Sequence, residues 1–508
     1  MAEYNSKTTH PWLALIGISI VSFLGCLDLT IVDTALPSIQ SALTGALVQL
    51  QWVVNGFMLA LAAFMVVMGK LADSYGRRRI LYLGMAGFAL FSLGAGLAPN
   101  IQWLIVFRIL QGVTVAITYT VPVAIIPTLF SAHIQGRMMG ILVAVSGFGL
   151  AIGPVIGGFI ISLLSWRWIF LVNPIFVMVA FALCMRYLPE SRSPCQTKLD
   201  WFGAILLMLA LPAAIFATVN ASHWGWLSSY TLSLYGVAAV LLYGFYRHEK
   251  KHTSPIVDFN LLKNNLFIVG VLANFGLAFF YNLAFFLMPL YLHYIKQINS
   301  YQIGLSLLAG TLMVAILSPW VGHFVDKNGS KGILKIGFIL LVASAIMQIF
   351  FQTDTSWLYI ETAFILLGIG WAFILNPSIV TAVAMMPKED SGVAMGTLGT
   401  VHNFGGTVGL AIGTVVYHYF SLQTLMGAVD QKSMLVMTWM QEATANPDLA
   451  IGLIQKNTSL SITNARTLFE NYFIHGYAAS MGLLAVVAVI TLGIVVGLDK
   501  RNASRSES

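Results

Sequence analysis

Long apolar blocks separated by short polar connections run through this chain, and they decide most of what it can fold into. Fourteen such blocks stand at 12–36, 49–69, 79–98, 101–125, 137–164, 167–188, 201–220, 229–247, 266–292, 303–325, 332–351, 357–382, 395–420 and 472–498. A helix needs about 20 apolar residues to cross the hydrocarbon core of a bilayer. No water is present there to satisfy an open backbone, so spans are helices or closed barrels. Barrel strands are about 10 residues long and alternate in polarity, which these blocks do not. The composition agrees: 58% of the residues are hydrophobic and 9% are charged, against about 25% charged in a soluble domain. The prediction is an all-α polytopic membrane protein with fourteen transmembrane helices. The least regular spans are 201–220 and 229–247, interrupted by Pro212 and Gly236. Block 12–36 is too long for a signal-peptide core and carries Asp28, so it reads as helix 1.

The net charge is +7, and its distribution points to membrane topology, not nucleic acid. With the N-terminus inside, twenty Lys and Arg fall on cytoplasmic segments and five on outer ones, with Arg108 inside a span. Basic residues concentrate on the cytoplasmic side of membrane proteins, so both termini are expected in the cytoplasm of a cell inner or plasma membrane. The three cysteines, Cys26, Cys184 and Cys195, fit no disulfide framework or metal spacing. There is no paired CxxC and no P-loop. The expectation is therefore no enzyme, no metal and no cofactor, with a proton gradient as the energy source. The expected partners are the lipid bilayer, protons and a small-molecule substrate; a periplasmic adaptor is left open.

The chain repeats itself. Gly69-Lys-Leu-Ala-Asp73-Ser-Tyr-Gly76 follows helix 2, and Gly322-His-Phe-Val-Asp326-Lys-Asn-Gly329 follows helix 10. Gly149-Leu-Ala-Ile-Gly153 in helix 5 returns as Gly409-Leu-Ala-Ile-Gly413 in helix 13. Two matches at nearly one offset suggest that helices 1–6 correspond to helices 9–14. The expected organisation is a six-helix bundle in 1–198, two inserted helices in 199–250, and a second bundle in 251–508 with an outer loop at 421–471. Parallel repeats about an axis along the membrane normal are a transporter architecture, with substrate bound between the halves.

Several of these segments resemble the major facilitator superfamily, most closely its fourteen-helix drug:proton antiporter branch of the QacA and EmrB type. Gly69 to Arg79 matches the superfamily's loop motif. Leu27-Asp-Leu-Thr-Ile-Val-Asp-Thr-Ala-Leu-Pro37 resembles the branch's helix 1 signature, with Asp33 where Asn is usual. Arg108-Ile-Leu-Gln-Gly112 resembles the helix 4 motif, although Val113-Thr-Val-Ala departs from its continuation. Gly147 to Gly158 resembles the antiporter motif of helix 5, and Trp166 to Pro174 the approach to helix 6. The resemblance implies a proton-coupled transporter, usually an exporter, and leaves the substrate open. It also implies that helix 5 forms a seal or hinge between the halves.

Ionisable residues inside a bilayer are costly and therefore functional candidates. Here they are Asp28, Asp33, Arg108 and Glu361. Placed on their helices, Asp28 and Arg108 both lie about 10–12 Å below the outer face, so they can pair and carry the coupled proton; a static packing pair is the alternative. Asp33 is expected near the outer interface, and Glu361 just inside the outer end of helix 12. Gly149, Gly153 and Gly157 form a small-residue stripe that admits a neighbouring backbone, with Pro154 and Gly158 beside it. The stripe at Gly405, Gly409 and Gly413 is expected to face it across the repeat axis. Gly69, Asp73, Gly76, Arg77, Arg78 and Asp326 form a proposed cytoplasmic latch, in which Asp73 accepts from the first amides of the next helix. Trp52, Asn55, Gln111, Tyr119, Asn274, Tyr281, Asn282, Asn376 and Asn403 are cavity candidates, each of which could instead be a helix–helix hydrogen bond. The expected function is export of amphipathic small molecules in exchange for protons. The alternatives are a dedicated exporter of one siderophore or peptide-like metabolite, or a membrane receptor or scaffold without transport.

Overall fold

The computed structural model describes residues 10–44, 46–190, 200–225, 227–250, 264–383, 391–426, 451–452, 455 and 461–506. These residues are almost entirely helical, and a helix stands at every predicted span. In chain order they are α1 Pro11–Leu43, α2 Leu47–Tyr75, α3 Arg77–Gly96, α4 Ile101–Leu129, α5 Ala132–Leu163, α6 Trp168–Leu171, α7 Asn173–Tyr187, α8 Trp201–Trp224, α9 Ser229–Glu249, α10 Asn265–Tyr294, α11 Ser300–Asn328, α12 Ser330–Ile349, α13 Trp357–Val383, α14 Ser391–Met426 and α15 Ile462–Ser506. Among the described residues, twelve helices are long and apolar enough to cross a membrane, and α5 carries a shorter apolar stretch, Ile152–Leu163.

Polar residues start these helices by satisfying their first amides. Asn100 accepts from Trp103 N, Asp200 from Gly203 N and Ser228 from Thr231 N. Asn299 accepts from Gln302 N while Gln302 accepts in return from Asn299 N, a reciprocal cap. The repeated loop motif makes one turn in both halves: Gly76 at φ +111° and Gly329 at φ +75° each end one helix and begin the next. A Cβ is disfavoured in that region, so the last glycine of the motif is a backbone requirement.

Packing follows the same pattern twice. In the first half α1 packs on α4, α5 and α7, while α4 packs on α2 and α3. In the second half α10 packs on α13, α14 and α15, while α13 packs on α11 and α12. Across the halves α5 packs on α11 and α14 on α2, contacts that the repeat exchanges for one another. The inserted hairpin α8–α9 lies against α2 and α14 through α8. At one end the halves are tied together, between α1 and the α10–α11 turn. Ser38 Oγ and Ser300 Oγ are 3.3 Å apart, and Tyr294 donates to Gln40 Oε1. Gly158 lies on the Ser300 backbone and Gly304 on that of Pro154. Nearby, Lys296 Nζ donates to the carbonyls of Thr353 (2.8 Å) and Thr355 (2.6 Å); partial burial draws its pKa below the usual lysine value, against the pull of Asp354.

Three expectations are corrected. First, α1 does not stop before Pro37; it continues to Leu43. Proline lacks a backbone N–H, so only the Asp33 carbonyl loses its helical partner. Second, α14 and α15 overrun their predicted spans, so the expected outer loop 421–471 begins and ends in helix; most of its Met-rich centre lies outside the described residues. Third, the two glycine stripes each meet the first helix of their own half. Gly149, Gly153 and Gly157 press on Phe23, Thr30, Ile31 and Thr34 of α1, while Gly405, Gly409 and Gly413 press on Phe275, Phe279 and Leu283 of α10. A glycine stripe serves its nearest neighbour, and for α5 and α14 that neighbour is α1 and α10.

Candidate functional site

The first half is built around one ion pair. Asp28 of α1 and Arg108 of α4 are 1% and 2% exposed, and Arg108 Nη1 donates to Asp28 Oδ2. The same nitrogen donates to Gln111 Oε1 at 3.1 Å, and Arg108 Nε donates to the Val53 carbonyl at 3.2 Å. Asn173 Nδ2 donates to Asp28 Oδ1 at 3.4 Å and to Ser92 Oγ at 3.0 Å; Ser92 in turn donates to the Phe170 carbonyl. The guanidinium lies 4.1 Å from the Phe57 ring centre and 5.6 Å from that of Phe170. The network thus draws on α1, α2, α3, α4, α6 and α7. The predicted pairing of Asp28 with Arg108 is present, and its partners are those of a satisfied core.

Asp33 is placed differently from its prediction. It lies ten residues before the end of α1 and is 6% exposed, buried in the protein. Among the described residues its carboxylate accepts no hydrogen bond. Its electrostatic neighbours are Arg108 of α4 and Tyr281 of α10, so it looks from one half toward the other. Glu361 is half-buried one turn into α13, beside Ser306 of α11, as its position predicted.

Of the cavity candidates, Tyr119 of α4 and Tyr281 of α10 are electrostatic neighbours across the halves, with Cys26 of α1 a neighbour of both. Tyr119 is 39% exposed in that position, which opens it to the space between the halves. Trp52 instead packs at a tilt against Phe216 of α8 (5.5 Å, 47° between planes), so it anchors the inserted hairpin. Gln111 belongs to the Arg108 network, and Asn55 is buried with neither side-chain atom bonded. Asn282 and Asn403 bond back to the carbonyls of Ala278 and Gly399 on their own helices. Asn376 ties α13 to the Ser318 carbonyl of α11 at 3.3 Å, and Asn274 bonds Ser378 Oγ at 3.3 Å. Asn376 and Asn274 thus join two helices, whereas Asn282 and Asn403 bond only within their own.

A residue outside the predicted set joins this region. His402 of α14 bonds Asn274 Oδ1 through Nδ1 and stacks on Tyr281 (5.6 Å), which stacks on Trp371 of α13 (4.5 Å, 14° between planes). Its sequence signal is a histidine within an apolar span.

At the loop expected to form a latch, Glu190 caps the next helix. It accepts from Arg78 N at 3.1 Å in the first turn of α3 and lies 3.6 Å from Arg79 Nε. Arg77 donates to the Ala124 carbonyl of α4 (2.8 Å), and Arg78 to Tyr82 and to the Met185 carbonyl. The side chains of Asp73 and Asp326 lie outside the described residues, and nothing is packed close to Gly69.

Comparison with known proteins agrees with this architecture. Residues 18–410 match the family model described as Major Facilitator Superfamily. The tetracenomycin C resistance and export protein of Streptomyces glaucescens is 28% identical over 98% of this chain and 93% of its own length. The multidrug resistance protein Stp of Mycobacterium tuberculosis is 30% identical over 95% of this chain and 90% of its own. Among solved structures, a bacterial homolog of the human lysosomal transporter Spinster, inward-facing and unoccupied, superposes with a TM-score of 0.66 at 14% identity, covering 97% of this chain and 99% of that one. The chain belongs to the Major Facilitator Superfamily and is a multi-pass membrane transporter.

Proposed function

We propose that the protein exports amphipathic small molecules in exchange for protons, by alternating access between two six-helix bundles in 1–198 and 251–508 joined by the inserted pair in 199–250. All fourteen helical positions span the membrane, and both termini face the cytoplasm. The observation that carries the coupling is Asp33: a carboxylate buried between the halves without a hydrogen-bond partner. Burial and water contact favour opposite protonation states of a carboxyl. A group sealed in one conformation and wetted in the other therefore exchanges its proton once per cycle. Asp28 is held in its network by Arg108 and Asn173 and acts as the fixed counter-charge that orients Arg108 toward this site. The drug-export names of the relatives support an amphipathic cargo over a single siderophore or peptide-like metabolite.

The test is transport by protein reconstituted in proteoliposomes with an imposed pH gradient. Wild type accumulates an amphipathic dye against its gradient and dissipates ΔpH; Asp33→Asn does neither. Dye movement independent of ΔpH in the wild type removes proton coupling. Transport of a single metabolite with no response to any dye favours the dedicated exporter.

A further inference from the structure

The hydrogen bonds behind His402 fix which of its nitrogens is bare. Ser378 Oγ donates its one proton to the Leu375 carbonyl at 2.7 Å. A hydroxyl that has given its proton can only accept, so Asn274 presents its NH2 to Ser378 at 3.3 Å. That turns the Asn274 carbonyl oxygen toward His402 Nδ1, which must carry the hydrogen of this bond. In the neutral ring Nε2 is then a bare acceptor. No group in the described protein satisfies it, and the ring is half-buried, with this nitrogen not among the sealed atoms. Trp371 Nε1–H, in the same stack, is sealed from contact, so the accessible unmet group here is His402 Nε2, a fixed acceptor at the edge of the Tyr281 stack.

We propose that His402 is a specificity residue for the cargo: its Nε2 accepts from an N–H or O–H at the edge of a fused-ring molecule that lies against the Tyr281 stack. The Leu375–Ser378–Asn274 relay fixes the tautomer, and Asn274 and Ser378 are positioning residues. Molecules of the same ring shape without an edge donor are bound, but less tightly. The inference rests on the drug-export reading and adds to it the feature by which one aromatic cargo is told from another.

The test is equilibrium binding of two dyes to the purified full-length transporter in nanodiscs. Both dyes carry the same protonated ring nitrogen at neutral pH and differ at the two edge amines, which carry N–H in proflavine and are fully methylated in acridine orange. His402→Phe keeps a ring on Tyr281 and removes both nitrogens. It is expected to weaken proflavine about tenfold, the scale of one net hydrogen bond, and to move acridine orange less than about twofold. Ser378→Ala leaves His402 in place but frees its tautomer; it is expected to weaken proflavine alone, by about threefold, the lower end of the same scale. It decides the matter should His402→Phe fail to fold. Equal loss of both dyes, or no loss of either, overturns the proposal. A wild-type protein that binds neither dye overturns instead the drug-export reading beneath it.

Discussion

The two halves of this transporter share a scaffold and differ in what fills its centre. Gly149 sits over the Phe23 carbonyl as Gly405 sits over that of Phe275, and Gly157 over Ile31 as Gly413 over Leu283. Gly112 meets the Phe57 carbonyl as Gly368 meets that of Gly310. Counted from these matched contacts, Asp28 corresponds to Phe280, Asp33 to Phe285 and Arg108 to Phe364. Every charge at the centre of the first half is thus a phenylalanine in the second. What remains polar there is neutral: Tyr477 donates to Gln348, which donates to Ser344, and His402 lies in an aromatic stack. Duplication kept the helix contacts, which depend on backbone approach, and let the centres diverge. One half carries ionisable groups suited to proton exchange, the other rings suited to an apolar cargo.

The difference predicts unequal responses to matched substitutions. The largest concerns the ion pair. Arg108→Met leaves Asp28 buried and unpaired, and removing one partner of a buried pair costs about 3–5 kcal/mol. Phe364→Met at the corresponding position is a volume-conserving apolar swap and costs less than about 1.5 kcal/mol. Thermal melting of the purified variants measures both; equal losses contradict the assignment of a charged core to one half. By the same reasoning Asp28→Asn strands Arg108, which is 2% exposed, so it is expected to lower expression.

Next come the glycines, where the halves should agree. A Cβ on Gly153 overlaps Thr30, and one on Gly409 overlaps the Phe279 backbone, whereas one on Gly147 meets nothing within 4 Å. Gly153→Ala and Gly409→Ala are expected to slow turnover about tenfold, the equivalent of 1.4 kcal/mol on the barrier, with dye affinity retained. Gly147→Ala is expected to be neutral. Reconstituted turnover checks all three, and a slow Gly147→Ala would show that glycine flexibility, not close approach, sets the rate.

The smallest effect lies in the latch loops. Glu190 caps α3, while at the corresponding turn Thr381 Oγ1 bonds Ser330 Oγ. A carboxylate at a helix N-terminus contributes about 0.3–1 kcal/mol. Glu190→Gln is therefore expected to shift the ratio of inward to outward states by about fivefold or less, as read by cysteine accessibility at the two mouths. Thr381→Ala, which removes a neutral bond, is expected to shift it less. The reverse order would place the stronger device in the second half.

The helices, the duplicated turn and the Asp28–Arg108 pair were legible because each depends on local pattern or on helix depth. Asp33 was misplaced because Pro37 reads as a helix end, while the surrounding bundle carries α1 six residues beyond it. The Gly-Leu-Ala-Ile-Gly echo aligned Gly149 with Gly409; the packing aligns it with Gly405, one turn earlier, since small residues recur every turn on such helices. Glu190 and His402 were missed because their partners are distant in sequence. Glu190 acts on Arg78 across a bundle and His402 on α10 across a helix pair, and no spacing within one segment announces either.

The central claim is that Asp33, and not the buried ion pair, gives up the transported proton. It is tested most directly by adding an amphipathic dye to purified transporter in weakly buffered solution and measuring the protons released alongside dye bound. The account predicts that wild type releases protons on binding, while Asp33→Asn binds the dye and releases none. Undiminished release from Asp33→Asn would contradict it and return the proton to Asp28.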